Sequence, residues 1–321
     1  MTVRYNPQQM EQLKKIFAPA KIITAGPRDT AAIEAALKTV DVAVLASDLD
    51  DRFRDAPALR WVHCDHAGLT KSARPWVFDH GLIVTSSAGR SGPALAEHAM
   101  FFMLALSYDV VGHLKAQTEH RWRREPAQEQ LKALWGRTVG ILGLGNTGRE
   151  LAVRAKAFNM TVLGYRRSTE PAPAGVDRLY SSEKGDSLDA MLKECDFVVI
   201  AMPLSDATYH LIGTKQLDIM KPTACIINMG RGAIIDEEAL VEALRAGKIR
   251  GAGLDTVTVE PLPATSPLWD LPNVLITPHF TPPVPDKVER CLAIMAENAR
   301  RYRAGETVMI NRLKAHDIYT H

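Results

Sequence analysis

The sequence predicts an α/β protein of parallel sheets covered by helices on both faces, and three observations predict it. Short β-branched runs alternate with helical stretches along nearly the whole chain, the pattern of strands joined by helical crossovers. A glycine-rich turn at Gly143–Gly148 joins one such run directly to a helix. At 321 residues the chain exceeds what one hydrophobic core usually holds, so two domains are expected.

Taken in order, strands are expected near Lys21–Ala25, Asp41–Ala46, Arg60–Cys64 and Leu82–Ser86, with helices near Pro7–Ala18 and Thr30–Thr39. These make a small doubly wound unit. Pro93–Val111 reads as one long helix, its proline near the start, where a missing N–H costs nothing. A second alternation runs through Thr138–Leu142, Thr161–Tyr165, Asp196–Ala201, Ala224–Met229, Gly251–Asp255 and Val274–Thr277. Six strands suit one nucleotide-binding sheet. Beyond a proline-rich turn, Asp286–Tyr302 is a further long helix, and the tail after it is expected to rejoin the first unit.

Composition narrows the function classes. The apolar share of 46% and charged share of 24% are those of an ordinary globular chain, which removes any compositional case for disorder. Lys and Arg number 39 against 37 Asp and Glu, a balance that gives no reason to expect nucleic acid or an anionic membrane as partner. The longest apolar run, Ala99–Leu106, falls far short of the ~20 residues that span a bilayer. No apolar signal core stands in MTVRYNPQQMEQ, so a cytoplasmic location is expected. Cys64, Cys195, Cys225 and Cys291 form no CxxC pair, so reduced structural thiols are expected. His63-Cys64-Asp65-His66 would offer metal ligands, but alternate side chains of a strand end point to opposite faces, and no metal is expected. The run His120-Arg121-Trp122-Arg123-Arg124 is read as a solvated basic face.

The sharpest signal is Gly143-Leu144-Gly145-Asn146-Thr147-Gly148, directly after the strand TVGIL and before RELAVRAKAF. Gly143 permits the tight turn, Gly145 lets backbone approach a pyrophosphate, and Gly148 lets the helix pack on its strand. The next strand ends in Arg166-Arg167-Ser168, where an NAD site would place an acid for the ribose 2′-hydroxyl. Guanidinium groups and a hydroxyl there suit a 2′-phosphate, so NADP(H) is expected in preference to NAD(H).

Three more residues follow strand ends: Arg231 between two glycines, Asp255 closing AGLD with Glu260 five residues on, and His279 in TPHF. In open α/β sheets that edge is where ligands sit. A guanidinium can hold a carboxylate and polarise a carbonyl, imidazole carries a proton near neutral pH, and a carboxylate can orient it. Proton donation by this set should fail at high pH, where imidazolium is lost.

The chain resembles the D-isomer-specific 2-hydroxyacid dehydrogenases, and among them the NADPH-using glyoxylate and hydroxypyruvate reductases. The resemblance rests on the glycine turn, MPLSDATYHLIG from 202, INMGRGAIIDEEAL from 227, GAGLDTVTVEPLP from 251 and ITPH ending at His279. It implies two Rossmann-like doubly wound domains: a smaller, flavodoxin-like, discontinuous substrate domain of 1–108 plus 284–321, and a dinucleotide-binding domain of 109–283. It makes Arg231 the substrate-orienting arginine, Glu260 the acid supporting the histidine, His279 the proton donor and Asp255 a contact near the nicotinamide. Pro203, Thr208 and Met229 join the cofactor residues, and His66-Ala67-Gly68 forms the substrate loop. Apart from the resemblance, Arg90 in SAGRSG reads either as a further anion contact or as a solvated loop arginine. The expected partner is a small 2-oxo or 2-hydroxy acid, and the expected assembly a homodimer through the nucleotide domain. Two stretches depart from the family pattern: HAGLT at 66–70, and Phe280-Thr281-Pro282-Pro283 after the histidine. The competing reading is a non-catalytic NADP(H) sensor on the same fold, against which the complete Arg231, Glu260 and His279 set argues.

Overall fold

A computed structural model of the chain describes residues 1–122 and 131–321. The basic run at 120–124 therefore lies partly outside the described residues. The chain divides into two compact units, one of Met1–Ser91, Ser205–Ala207 and Pro283–His321, the other of Gly92–Leu204 and Thr208–Pro282.

The first unit opens with α1 (Pro7–Phe17) and α2 (Thr30–Leu37), then β1 (Val42–Leu45), β2 (Trp61–Cys64), α3 (Pro75–Asp79) and β3 (Ile83–Ser86). Helix α1 starts where the sequence predicts. Asn6 Oδ1 accepts from the Gln9 N–H at 2.9 Å, Gln9 Oε1 accepts from the Asn6 N–H at 3.0 Å, and Pro7 holds the first position. The three strands pair in parallel in the order β1-β2-β3. One face is covered by a cluster around Phe53, Val62, Val77 and Val84, and another cluster joins Leu13 and Val44 to Leu292 and Met295.

The segment Lys21–Ala25, expected as a strand, joins no ladder. The start of the chain takes the sheet edge instead: the Thr2 N–H donates to Val44 O at 2.9 Å, and the Ala25 N–H donates to Met1 O at 3.0 Å. A strand-like sequence beside an occupied edge has only one residue left to pair with.

The second unit begins with α4 (Gly92–Ser107) and α5 (Val110–Thr118) and continues through β4 (Thr138–Leu142), α6 (Asn146–Ala157), β5 (Thr161–Arg166) and β6 (Arg178–Ser181). Then come α7 (Leu188–Glu194), β7 (Phe197–Ile200), α8 (Thr214–Ile219), β8 (Cys225–Asn228), α9 (Glu237–Arg245), β9 (Gly251–Leu254) and β10 (Val274–Ile276). Helix α10 (Lys287–Arg303) returns the chain to the first unit. The seven strands are all parallel, in the order β10-β9-β8-β7-β4-β5-β6. The order reverses at β4 and β7, the switch point where such sheets bind ligands.

Three expectations change here. The helix foreseen over Pro93–Val111 breaks into α4 and α5, bent by 62°. Asp109 adopts φ +48° and its carboxylate accepts from the Gly112 N–H, so it caps a new helix instead of continuing the old one. Strand β6 has no forecast; its residues, RLYS, are those of a partly exposed edge and lack a β-branched run. The boundary foreseen after 108 falls after Ser91, because α4 packs against α6, β8 and β9. Among the described residues no single helix is long and apolar enough to cross a membrane.

Candidate active site

The glycine turn is shaped by close approaches. Gly143 leaves β4 with φ +98° and donates its N–H to Tyr165 O at 2.8 Å. A Cβ on Gly143 would stand 2.7 Å from Ala201 O, and one on Gly148 would stand 2.0 Å from Gly143 O. Any side chain at either position would force the turn apart. Gly145 differs: the space where its Cβ would lie is empty, and it heads α6 with no side-chain cap. The first-turn N–H groups of α6, including those of Asn146 and Thr147, thus keep the electropositive character of a helix start.

Strands β8, β9 and β10 end level, with Asn228 opposite Leu254 and Leu254 opposite Ile276. Neighbouring strands stand ~4.8 Å apart, so Arg231, Asp255 and His279 leave one edge about 10 Å wide. Buried Asn228 shapes the Arg231 turn: its Oδ1 accepts from the Gly230 N–H at 3.0 Å and its Nδ2 donates to Arg231 O at 3.0 Å. Arg231 donates from Nη1 to Gly230 O at 2.8 Å. A Cβ on Gly232 would stand 2.0 Å from the Val257 carbonyl carbon, so this turn packs directly on the segment leading to Glu260.

Glu260 and His279 meet. Glu260 Oε2 lies 2.7 Å from His279 Nδ1, and Oε1 accepts from the Val257 N–H at 3.2 Å. The side chains are 37% and 43% exposed, and a pair so wet stabilises a fold by at most about 1 kcal/mol. His279 itself sits at φ +50°, a left-handed conformation costing a non-glycine residue roughly 1–3 kcal/mol. Fold stability does not explain an arrangement whose strain matches or exceeds its gain.

The other expected residues are placed as follows. Thr208 donates from its hydroxyl to Pro203 O at 2.9 Å. Met229 is buried in the main core, its N–H donating to Ile200 O at 3.0 Å, so it packs beneath the edge. Asp255 is 3% exposed, and its Oδ1 accepts from the Thr277 hydroxyl at 2.6 Å and from the Phe280 N–H at 3.1 Å. In the first unit Ala67 is exposed and Gly68 half-buried. His66 Nε2 lies 3.8 Å from Asp48 Oδ2, beyond hydrogen-bond range. Arg90 donates from Nη1 to Asp65 O and to Cys291 Sγ at 3.7 Å, with Asp65 Oδ1 at 3.6 Å. Its guanidinium is committed to the loop it was expected to supplement.

Residues 100–281 match the D-isomer-specific 2-hydroxyacid dehydrogenase NAD-binding domain family. The chain belongs to the D-isomer-specific 2-hydroxyacid dehydrogenases. The glyoxylate reductase of Pyrococcus furiosus is 34% identical over 279 residues, covering 84% of this chain and 82% of its own. A D-isomer-specific 2-hydroxyacid dehydrogenase of Xanthobacter autotrophicus, solved with NADPH and MES, is 27% identical, covers 99% of this chain and 98% of its own, and has a TM-score of 0.81. An NADPH-dependent glyoxylate/hydroxypyruvate reductase of Sinorhizobium meliloti, solved with NADP and sulfate, is 26% identical with 98% of each chain covered and a TM-score of 0.80. The protein is thus a member of the 2-hydroxyacid dehydrogenase family with an NAD(P)-binding domain.

The residues present fit the cofactor of a 2-hydroxyacid dehydrogenase: an uncapped helix start, an open side at Gly145, and no acid directly after β5. One expectation about it changes. Arg166 is buried and donates to Ser168 O at 3.2 Å, to Glu170 Oε2 at 3.3 Å and to the carbonyls of Glu170 and Pro171. Its donors are spent inside its own loop. Arg167, beside it, is exposed, with Glu183 Oε1 at 3.4 Å as a wet partner. Sequence reasoning also missed His98, Thr277 and Thr281 of this dehydrogenase; only their shared packing around Asp255 reveals them.

Proposed function

We propose that the protein reduces small 2-oxo acids, glyoxylate and hydroxypyruvate among them, to D-2-hydroxy acids with NADPH. The reading is carried by the 2.7 Å contact of Glu260 with His279 at the strand edge that also presents Arg231. When bound, the reduced nicotinamide supplies a hydride to the carbonyl carbon. Arg231 holds the substrate carboxylate and polarises its carbonyl. With Nδ1 donating to Glu260, His279 keeps Nε2 for the substrate and delivers a proton to the carbonyl oxygen. Glu260 fixes that tautomer and the ring's orientation. For the first unit, resemblance to the family supports the backbone N–H groups at Ala67 and Gly68 as substrate contacts. Gly143–Gly148 and the start of α6 hold the pyrophosphate, and Arg167 with Ser168 holds the 2′-phosphate.

The test is a panel of 2-oxo acids assayed with NADPH and with NADH by loss of reduced-cofactor absorbance, beside His279→Ala. Turnover of at least one small acid is expected, falling by roughly 10²–10⁴ in the variant while NADPH binding persists. No turnover with any acid, or an unaffected variant, defeats the reading.

A second-unit surface supports the homodimer. Phe101 on α4 and Leu114 on α5 are 52% and 59% exposed, and Tyr108 lies half exposed between the helices. We assign this arm to a second copy of the chain, packed by the same patch on both subunits.

A further inference from the structure

We infer that His98, on α4, is a positioning residue that staples the His279 loop on both sides by gripping Thr277 and Thr281. The inference rests on the reading of His279 as the proton donor. It begins with packing. A Cβ on Gly253 would stand 2.6 Å from the Phe102 ring, so β9 must carry glycine there for α4 to approach. One helical turn before Phe102, His98 stacks on that ring at 4.7 Å between centroids and is 9% exposed. Two residues after Gly253 stands Asp255. The helix is thereby set beside the aspartate.

The hydrogen-bond directions then follow from donor supply. Thr277 spends its hydroxyl proton on Asp255 Oδ1 at 2.6 Å, so the 3.2 Å contact between Thr277 Oγ1 and His98 Nε2 needs the imidazole to donate. Neutral His98 then has a bare Nδ1, which accepts from the Thr281 hydroxyl at 2.8 Å. Burial lowers the His98 pKa, against the pull of Asp255, and keeps the ring neutral. Asp255 Oδ1 closes the circuit by accepting from the Phe280 N–H at 3.1 Å. The chain from Thr281 through His98 and Thr277 to Asp255 therefore encircles His279, gripping residues two before it and two after it. His279 donates its own N–H to Thr277 O at 2.9 Å. A strained φ of +50° persists only where surroundings over-determine it, and this circuit is what over-determines it.

The experiment compares His98→Leu, His98→Gln and Thr277→Val with the unaltered protein. His98→Leu should lower kcat about tenfold to a hundredfold, leaving NADPH dissociation and the KM of the oxo acid unchanged. Glutamine, which can donate to Thr277, should restore most of the loss. Combining His98→Leu with Thr277→Val should cost little more than either alone, as members of one circuit do. Independently of turnover, deuterium exchange of the backbone over 277–282 should speed about tenfold in His98→Leu. An unchanged kcat, a fall in NADPH binding parallel to kcat, or unchanged exchange overturns the inference. Absence of turnover in the unaltered protein defeats the functional reading instead, and exchange alone then decides on the staple.

Discussion

Arg166 and Arg167 follow one another at the end of β5, and burial separates what each can bind. The first has its guanidinium enclosed by carbonyls of Ser168, Glu170 and Pro171, whereas the second faces water. A string of basic residues announces a phosphate site, but strand alternation sends neighbours to opposite sides. Arg167→Asp should therefore raise the KM for NADPH about tenfold or more, the loss of a charge-assisted contact, and turn preference toward NADH. Equal NADPH and NADH parameters before and after the change would sink that assignment. At this scale Arg231, Glu260 and His279 were legible because chemistry-bearing residues stood after strands. His98 was not, since one histidine inside an apolar helix reads as core.

Strands β2 and β3 carry a directional chain of hydrogen bonds under the Asp65–Gly68 loop. Trp61 Nε1 donates to Thr85 Oγ1 at 2.9 Å, Thr85 meets His63 Nδ1 at 2.9 Å, His63 Nε2 meets Ser87 Oγ at 3.0 Å, and Ser87 donates to Asp65 Oδ1 at 2.9 Å. Parallel register explains it: His63 pairs with Thr85, so every second side chain of two adjacent strands shares a face. The chain needs neutral His63, and burial holds its pKa down at about 4. Below the ordinary histidine range the unfolded chain takes up a proton that the native protein refuses. Stability is therefore fully present above about pH 6.5 and declines toward pH 4, by up to about 3 kcal/mol from this residue. His98 is shifted in the same direction and adds to the slope. Urea midpoints at pH 7 and pH 5 should converge in His63→Gln relative to the unaltered protein; an identical drop in both would remove His63 as a cause.

For the whole molecule, the exposed apolar arm of α4 and α5 makes subunit association a prediction. Light scattering should give twice the 35.3 kDa of one chain, and Leu114→Glu should return it to a single chain; a monomer at the start defeats the assignment. The sequence by itself determined the α/β class, the glycine turn, the strand ends that carry Arg231, Asp255 and His279, and membership of the family. Those are local: period, turn chemistry and short motifs are written in consecutive residues. Tertiary structure alone decided that Met1 and Thr2 take the sheet edge in place of Lys21–Ala25, that α4 belongs with the second unit, that Arg166 turns inward and that His98 clasps the His279 loop. Each depends on which distant backbone or side chain arrives first at a given donor or surface. Spacing along a chain cannot rank such long-range competitors, because burial and unpaired polar groups set their free energies only once the chain has closed on itself.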